Sequence, residues 1–258
     1  MNAFDVEYAS MCESAGHRLR LVSCPNLREL GGYLTPGGPT RLHSFLRCGS
    51  TRTILPDDLE RLHDLGVRHV LDLRSRGESP EHTCLFARQS WVRWENVPLF
   101  DYDMSAPSML PVRDAGGYLT SGYLRMLSNG VALRRVFSFF STADDEECVL
   151  FHCAAGMDRT GVVSMLLLGL ADAMRAEIIA DYAYSFAPAE QVDAAVATGE
   201  LHADADPRSE SFILDTRIAA IATVYDTIVE HYGSVRGLLA QAGIPTWQLD
   251  AVRKRLID

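Results

Sequence analysis

Lysine is nearly absent from the sequence, and no stretch is apolar for long enough to cross a membrane. Lys254 is the single lysine in 258 residues, and the formal net charge is −10 at pH 7. The longest apolar run, residues 162–170, is far shorter than the ~20 residues that a membrane-spanning helix needs. Nucleic acids and anionic membranes are bound by basic protein faces, so we expect neither as a partner and no membrane insertion.

The sequence also lacks C-x-x-C pairs and a visible export signal. A chain of this size can bury a core without a disulfide scaffold, so the thiols are expected to be reduced. The N-terminal residues 1–14 are acidic and have no apolar core of the Sec type. These features favour a cytoplasmic protein, while export by a route without such a signal stays open. The six cysteines are Cys12, Cys24, Cys48, Cys84, Cys148 and Cys153.

The composition predicts one globular domain over residues 1–258. Hydrophobic residues make up 47% of the chain and charged residues 22%, and no linker or internal repeat is visible. Two segments could act as lids over a site: the Ser-, Pro- and Gly-rich stretch at about 101–117, and the Ala- and acid-rich stretch at about 187–210.

Hydrophobic periodicity predicts alternating strands and helices. Pro56 opens an amphipathic helix, with two aspartates in its first turn, and a buried strand follows it. Predicted strands cover 19–22, 67–73, 91–98 and 149–153. Predicted helices cover 56–65, 118–127, 131–140, 159–170, 175–186, 211–232, 235–243 and 246–256.

The most informative stretch, residues 149–161, reads V-L-F-H-C-A-A-G-M-D-R-T-G and predicts strand, loop and helix. Five residues separate Cys153 from Arg159, few enough for consecutive backbone N–H groups to form one concavity at the positive end of the helix. Such a concavity suits a phosphate dianion. The predicted phosphate contacts are Ala154, Ala155, Gly156 and Met157.

Cys153 and Arg159 have the chemistry for attack on phosphorus. Backbone dipoles and a guanidinium both stabilise an anion at the floor of the loop, so Cys153 is expected to be a thiolate at neutral pH. The planar fork of Arg159 can bind two phosphate oxygens and stabilise the charge that develops in the transition state. His152 precedes the nucleophile and is expected to orient the loop.

At these residues the chain resembles the cysteine-dependent protein tyrosine phosphatases, whose loop pattern is H-C-x5-R-[ST]. The form HCAAGMDRTG is similar to the HCxxGKDRTG loop of their atypical bacterial branch. Three further segments resemble signatures of this branch: N-L-R-E-L-G-G-Y at 26–33, D-L-R-S-R-G-E at 72–78 and D-Y-A-Y-S at 181–185. Met157 replaces the loop lysine, which removes a cation that would contact additional phosphate groups.

The resemblance implies an α/β fold with a central, mostly parallel sheet flanked by helices. It implies a metal-free, cofactor-free phosphomonoester hydrolase with a phosphocysteine intermediate, acting on phosphotyrosine and also on phosphoserine or phosphothreonine. The loss of the lysine argues against phosphoinositides. A phosphorylated protein is therefore the expected partner, with a small phosphate ester as the alternative.

The reaction needs an acid for the leaving oxygen, and two carboxylates compete for that role. The bacterial branch places its acid at Asp158, whose distance from Cys153 is set by the loop. Asp101 follows a predicted strand, a location similar to the acid-bearing loop of dual-specificity phosphatases. We favour Asp158. The motif also implies that the Thr160 hydroxyl donates to the Cys153 sulfur.

Arg74 lies at the carboxyl end of a predicted strand, where ligands gather in α/β sheets. A substrate contact and an ion pair with Asp72 or Glu78 are equally compatible with the sequence.

Two other kinds of function are less consistent with the sequence. A nucleotide-binding P-loop is excluded because neither Gly156 nor Gly161 is followed by Lys-Ser or Lys-Thr. An inactive phosphate-binding module is disfavoured because Cys153, Asp158 and Arg159 are all present.

Overall fold

The computed structural model describes residues 17–78, 85–100, 117–198 and 209–257. The strands in these ranges are β1 (Arg28–Glu29), β2 (Leu34–Thr35), β3 (Gly38–Pro39), β4 (Phe45–Cys48), β5 (Val67–Asp72), β6 (Arg93–Asn96) and β7 (Cys148–His152). The helices are α1 (Pro56–Asp64), α2 (Gly117–Leu127), α3 (Gly130–Phe140), α4 (Asp158–Leu170), α5 (Arg175–Ala183), α6 (Ala189–Thr198), α7 (Glu210–Tyr232), α8 (Val235–Gln241) and α9 (Thr246–Ile257), with a 3-10 turn at Phe86–Arg88.

The main sheet has β7 at its centre. Within the described ranges its strands pair in the order β1-β4-β7-β5-β6, and β2 and β3 form a separate hairpin. Strands β4, β7, β5 and β6 are parallel, and only β1 pairs antiparallel with its neighbour. The carboxyl ends of β7 and β5 therefore meet at one edge of the sheet. This confirms the predicted α/β fold with a mostly parallel sheet.

Both faces of the sheet are covered, so β7 is buried along its whole length. Val149 and Phe151 belong to a large core against most of the helices, whereas Leu150 belongs to a smaller core that includes Leu62 of α1. Helix α4 is buried from Thr160 to Leu170. Its position inside the protein explains why it is apolar all round. No helix in the described part of the chain is both long and apolar enough to span a bilayer.

The predicted helices are present with bounds that shift by a few residues, but the strand predicted at 19–22 is wrong. Arg18 forms an isolated bridge with Arg28, and the Leu19 N–H donates to the Leu27 carbonyl at 3.1 Å, but residues 20–22 have no strand or bridge assignment. Leu19 and Leu21 are buried in the smaller core. Of the two predicted lids, residues 101–116 lie outside the described residues. In the second, α6 is described and 199–208 are not. The single domain and the lids stay predictions.

Candidate active site

The loop between β7 and α4 places Cys153 directly after the central strand. Cys153 is only 2% exposed. Gly156 has a φ of +72°, and a Cβ at this position would lie 2.5 Å from the carbonyl carbon of Cys48. Glycine meets both conditions because it adopts positive φ freely and has no Cβ. The loop is thereby packed against the end of β4.

The carbonyl groups of the loop are bonded to the protein, whereas its N–H groups remain available. The Ala154 carbonyl accepts from the Ser50 N–H at 2.8 Å. The Gly156 carbonyl accepts from Arg47 Nη2 at 2.8 Å and from Asn26 Nδ2 at 2.9 Å. The N–H groups of residues 154–157 donate no hydrogen bond to any described residue. They can therefore donate to a bound anion at the start of α4.

A buried ionic network holds the loop from behind. Asp181 accepts from Arg47 Nη1, and its other oxygen accepts from the Tyr33 hydroxyl at 3.0 Å. Arg28 Nε lies 3.6 Å from the Asp181 carboxylate, and Arg28 Nη2 donates to the Ser185 hydroxyl at 2.9 Å. Burial, followed by the charge of Arg47, lowers the pKa of Arg28 to about 10. The segments at 26–33 and 181–185 thus meet behind the loop, and Arg47 links them to Gly156.

Arg74 forms an ion pair with Asp72, the last residue of the preceding strand β5. Its Nη2 donates to Asp72 Oδ2 at 2.7 Å and its Nε to Asp72 Oδ1 at 3.0 Å, and its side chain is 4% exposed. The ion pair that the sequence left open is therefore present, whereas a substrate contact of Arg74 stays a prediction.

His152 is fully buried beneath the loop. Its Nδ1 donates to the Cys153 carbonyl at 3.2 Å, and its Nε2 lies 3.5 Å from the Thr51 hydroxyl. Burial lowers the pKa of His152, which favours a neutral ring that carries its proton on Nδ1. This geometry agrees with the expected orienting role.

The guanidinium of Arg159 is held at the rim by a bidentate ion pair. Its Nη1 and Nη2 donate to the two carboxylate oxygens of Glu78 at 2.6 and 3.0 Å. Ser75 in turn fixes Glu78 through its N–H at 3.1 Å and its hydroxyl at 2.8 Å. The hydrogen bond from Arg159 is the largest cause that lowers the pKa of Glu78, to about 2. Arg159 is therefore oriented before a substrate binds.

Asp158 begins α4 and contacts two other helices. Its Oδ1 accepts hydrogen bonds from the Tyr123 hydroxyl of α2 and from Arg217 Nη1 of α7. The Asp158 side chain is 39% exposed, so solvent and a bound ester can reach it. Asp101, the competing acid candidate, lies outside the described residues.

Thr160 does not make the hydrogen bond that the motif implies. Its hydroxyl is buried and has no hydrogen-bond partner among the described residues, the Cys153 sulfur included. A contact with the sulfur during turnover stays a prediction.

A cavity of about 950 Å³ opens beside Asp158 and Arg159. Its lining includes one face of α2, with the aromatic ring of Tyr118 and the apolar side chains of Leu119 and Met126. Phe100 and Tyr123 add two further aromatic rings. The cavity can therefore accept an apolar or aromatic group next to the loop.

The sequence pattern of the tyrosine phosphatase family matches residues 19–258. The chain belongs to this family. It is 34% identical over 172 residues to a provisionally named tyrosine-protein phosphatase of Cupriavidus necator, covering 64% of this chain and 62% of that protein.

Two further relatives carry related names. A tyrosine-protein phosphatase of Nostoc commune is 31% identical over 144 residues, covering 55% of this chain and 48% of that protein. The triple specificity protein phosphatase PtpB of Mycobacterium tuberculosis is 29% identical over 165 residues, covering 59% of this chain and 60% of that protein. The chain thus spans about half to three fifths of the length of these relatives.

Three residues that contact Asp158 or Arg159 are absent from the site that the sequence predicts. The sequence indicates Glu78 only as a possible partner of Arg74, although its motif places it after the same strand. Tyr123 and Arg217 are 94 positions apart along the chain and have no local sequence signal. A helix pattern predicts a buried face, but it does not predict which polar side chain another helix contacts.

Proposed function

We propose that the chain hydrolyses phosphate monoesters through a phosphocysteine intermediate, with phosphotyrosine in proteins as the main substrate. The observation that carries this proposal is the arrangement around Cys153. A buried thiol lies beneath a loop whose N–H groups donate to no acceptor among the described residues, next to an arginine fork already oriented by Glu78.

The geometry supports a two-step reaction. Cys153 Sγ attacks phosphorus, the ester P–O bond breaks, and the leaving oxygen takes a proton from Asp158. Asp158 then takes a proton from water as the water oxygen attacks phosphorus, the S–P bond breaks, and inorganic phosphate leaves. Loop N–H groups and Arg159 stabilise the charge on the non-bridging oxygens in both steps.

Family membership and the aromatic cavity support phosphotyrosine. A phenyl ring reaches deeper than the short stem of phosphoserine and can pack on the apolar face of α2. Met157, which replaces the lysine of related loops, supports singly phosphorylated substrates over phosphoinositides. The cytoplasmic location stays a prediction, based on the lack of C-x-x-C pairs and of a visible export signal in the sequence.

The test is hydrolysis of a phosphotyrosine peptide by the purified chain in the presence of EDTA. Cys153→Ser should reduce turnover to the background of the assay, because the serine hydroxyl is not ionised near neutral pH. Cys148→Ser, at the other end of β7, is the matched control and should keep activity within about tenfold of wild type. Cys153→Ser with similar retained activity would contradict the covalent mechanism.

A substrate panel decides the class of ester. Values of kcat/KM should be highest for phosphotyrosine peptides, compared with phosphoserine peptides, phosphoinositides, nucleotides and sugar phosphates. A small phosphate ester that exceeds the peptides would show that the chain is a small-molecule phosphatase, and a preference for phosphoinositides would show that Met157 does not set the selectivity.

A further inference from the structure

The two hydrogen bonds to the Asp158 carboxylate both end on the same oxygen. The Tyr123 hydroxyl and Arg217 Nη1 donate to Oδ1. No described residue donates a hydrogen bond to Oδ2. The two oxygens of this carboxylate are therefore in different environments, although they are chemically equivalent in free aspartate.

Tyr123 is held firmly in its position. Its side chain is buried at 2% exposure, and its hydroxyl oxygen lies 2.5 Å from that of Tyr182 of α5. Because Tyr123 donates its single proton to Asp158, Tyr182 must be the donor between the two phenols. Burial, together with the neighbouring Tyr182 and Asp158, raises the pKa of Tyr123, so the phenol remains protonated and able to donate.

Arg217 is fixed by the same group of residues. Its Nη1 also lies 3.2 Å from the Tyr123 hydroxyl and 3.4 Å from the Tyr182 hydroxyl. The guanidinium carbon lies 4.5 Å from the centre of the Phe186 ring, a cation–π contact. Arg217 of α7 is thus held over the start of α4 by polar contacts on one side and an aromatic face on the other.

We propose that Tyr123 and Arg217 are positioning residues that make Asp158 Oδ2 the oxygen that exchanges protons during turnover. Donors on Oδ1 occupy its lone pairs, so the acid proton resides on Oδ2. In the first step the Oδ2–H bond breaks as the leaving oxygen gains the proton. In the second step a water O–H bond breaks and Oδ2 regains a proton.

Arg217 also contributes charge between these two steps. After the proton has left, Asp158 is an anion, and the adjacent guanidinium stabilises it. The inference rests on the proposed function, because it assigns a role to residues around the acid of that reaction.

The test uses a series of aryl phosphates whose leaving phenols differ in acidity. An acidic nitrophenol departs without much protonation, whereas phenol needs the acid. Arg217→Gln and Tyr123→Phe should therefore lose little kcat/KM on nitrophenyl phosphate and roughly 10- to 100-fold on phenyl phosphate. The dependence of kcat/KM on the pKa of the leaving phenol should become steeper, as it should in Asp158→Asn.

Two comparisons separate positioning from a structural effect. In the Asp158→Asn background, Arg217→Gln should cause little further loss, because the group that it positions is already absent. Arg175→Gln is the matched control: Arg175 of α5 pairs with Asp226 of α7 through two hydrogen bonds, and neither residue lines the cavity beside Asp158. This control should keep the leaving-group dependence of the wild type.

The outcomes are distinguishable. An equal loss on all aryl phosphates in both Arg217→Gln and Tyr123→Phe, or fully additive losses with Asp158→Asn, would overturn the positioning role while the proposed function stands. A wild-type chain that hydrolyses no phosphate monoester would instead remove the proposed function, and this inference with it.

Discussion

Glu78 and Arg159 form the ion pair at the rim of the loop, and its contribution to stability should depend on pH. The pKa of Glu78 is lowered from 4.5 to about 2. A lowered folded-state pKa gives stability that is present above pH 4.5 and is lost as the pH falls towards 2. Because Glu78 is 41% exposed, solvent screening keeps this contribution below about 1 kcal/mol.

Glu78→Gln should therefore lower the free energy of unfolding at pH 7 by less than about 1 kcal/mol, and by less still at pH 3. Urea unfolding at the two pH values measures both differences. Glu60→Gln, on the exposed surface of α1, removes a carboxylate that forms no ion pair with a described residue, and it is the control. If the difference in the free energy of unfolding between wild type and Glu78→Gln is larger at pH 3 than at pH 7, the expectation is contradicted.

At the scale of elements, α4 packs closely against α8 through a glycine. A Cβ on Gly169 would lie 2.5 Å from Val235 Cγ2. Gly169→Ala should therefore destabilise the protein by roughly 1–2 kcal/mol, since overpacking outweighs the better helix propensity of alanine. Chemical denaturation measures the change in the free energy of unfolding.

A glycine-to-alanine substitution in α2 should change the free energy of unfolding in the opposite direction. A Cβ on Gly122 would meet no atom of a described residue within 4 Å. Gly122→Ala should stabilise the protein by up to about 1 kcal/mol, because alanine favours a helix and nothing must move. If Gly169→Ala stabilises the protein as Gly122→Ala should, the contact between α4 and α8 does not have the importance inferred from its geometry.

At the scale of the whole molecule, Asp181 connects the N-terminal strands, β4, α5 and the loop. Its side chain is 1% exposed and lies between the fully buried guanidinium groups of Arg28 and Arg47. Asp181→Asn would leave two buried cations without their shared anion. We expect a loss of about 3–5 kcal/mol in the free energy of unfolding, measured by urea titration.

Asp226→Asn provides the comparison for this loss. It removes the carboxylate that pairs with Arg175, where both side chains are at least half exposed. Such pairs contribute about 0–1 kcal/mol. If the two substitutions lower the free energy of unfolding by the same amount, the buried Asp181 network does not stabilise the fold more than an exposed ion pair does.

The sequence by itself determined the features that depend on neighbours along the chain. The strand-loop-helix unit at 148–170 follows from an apolar run, five residues between Cys153 and Arg159, and Gly156. Helix bounds agree within a few residues because capping, helix propensity and apolar periodicity act over one or two turns. The strand predicted at 19–22 failed because a short apolar segment can be buried without joining a ladder.

Tertiary structure decided which partners the polar side chains have. Arg159 pairs with Glu78 across 81 positions and Asp158 with Arg217 across 59, while Arg74 takes Asp72 of its own strand end. The Thr160 hydroxyl lacks the sulfur contact that the motif implies. Hydrogen bonds and ion pairs need atoms within about 3 Å of one another, and only the packing of helices on the sheet brings together side chains so distant in sequence.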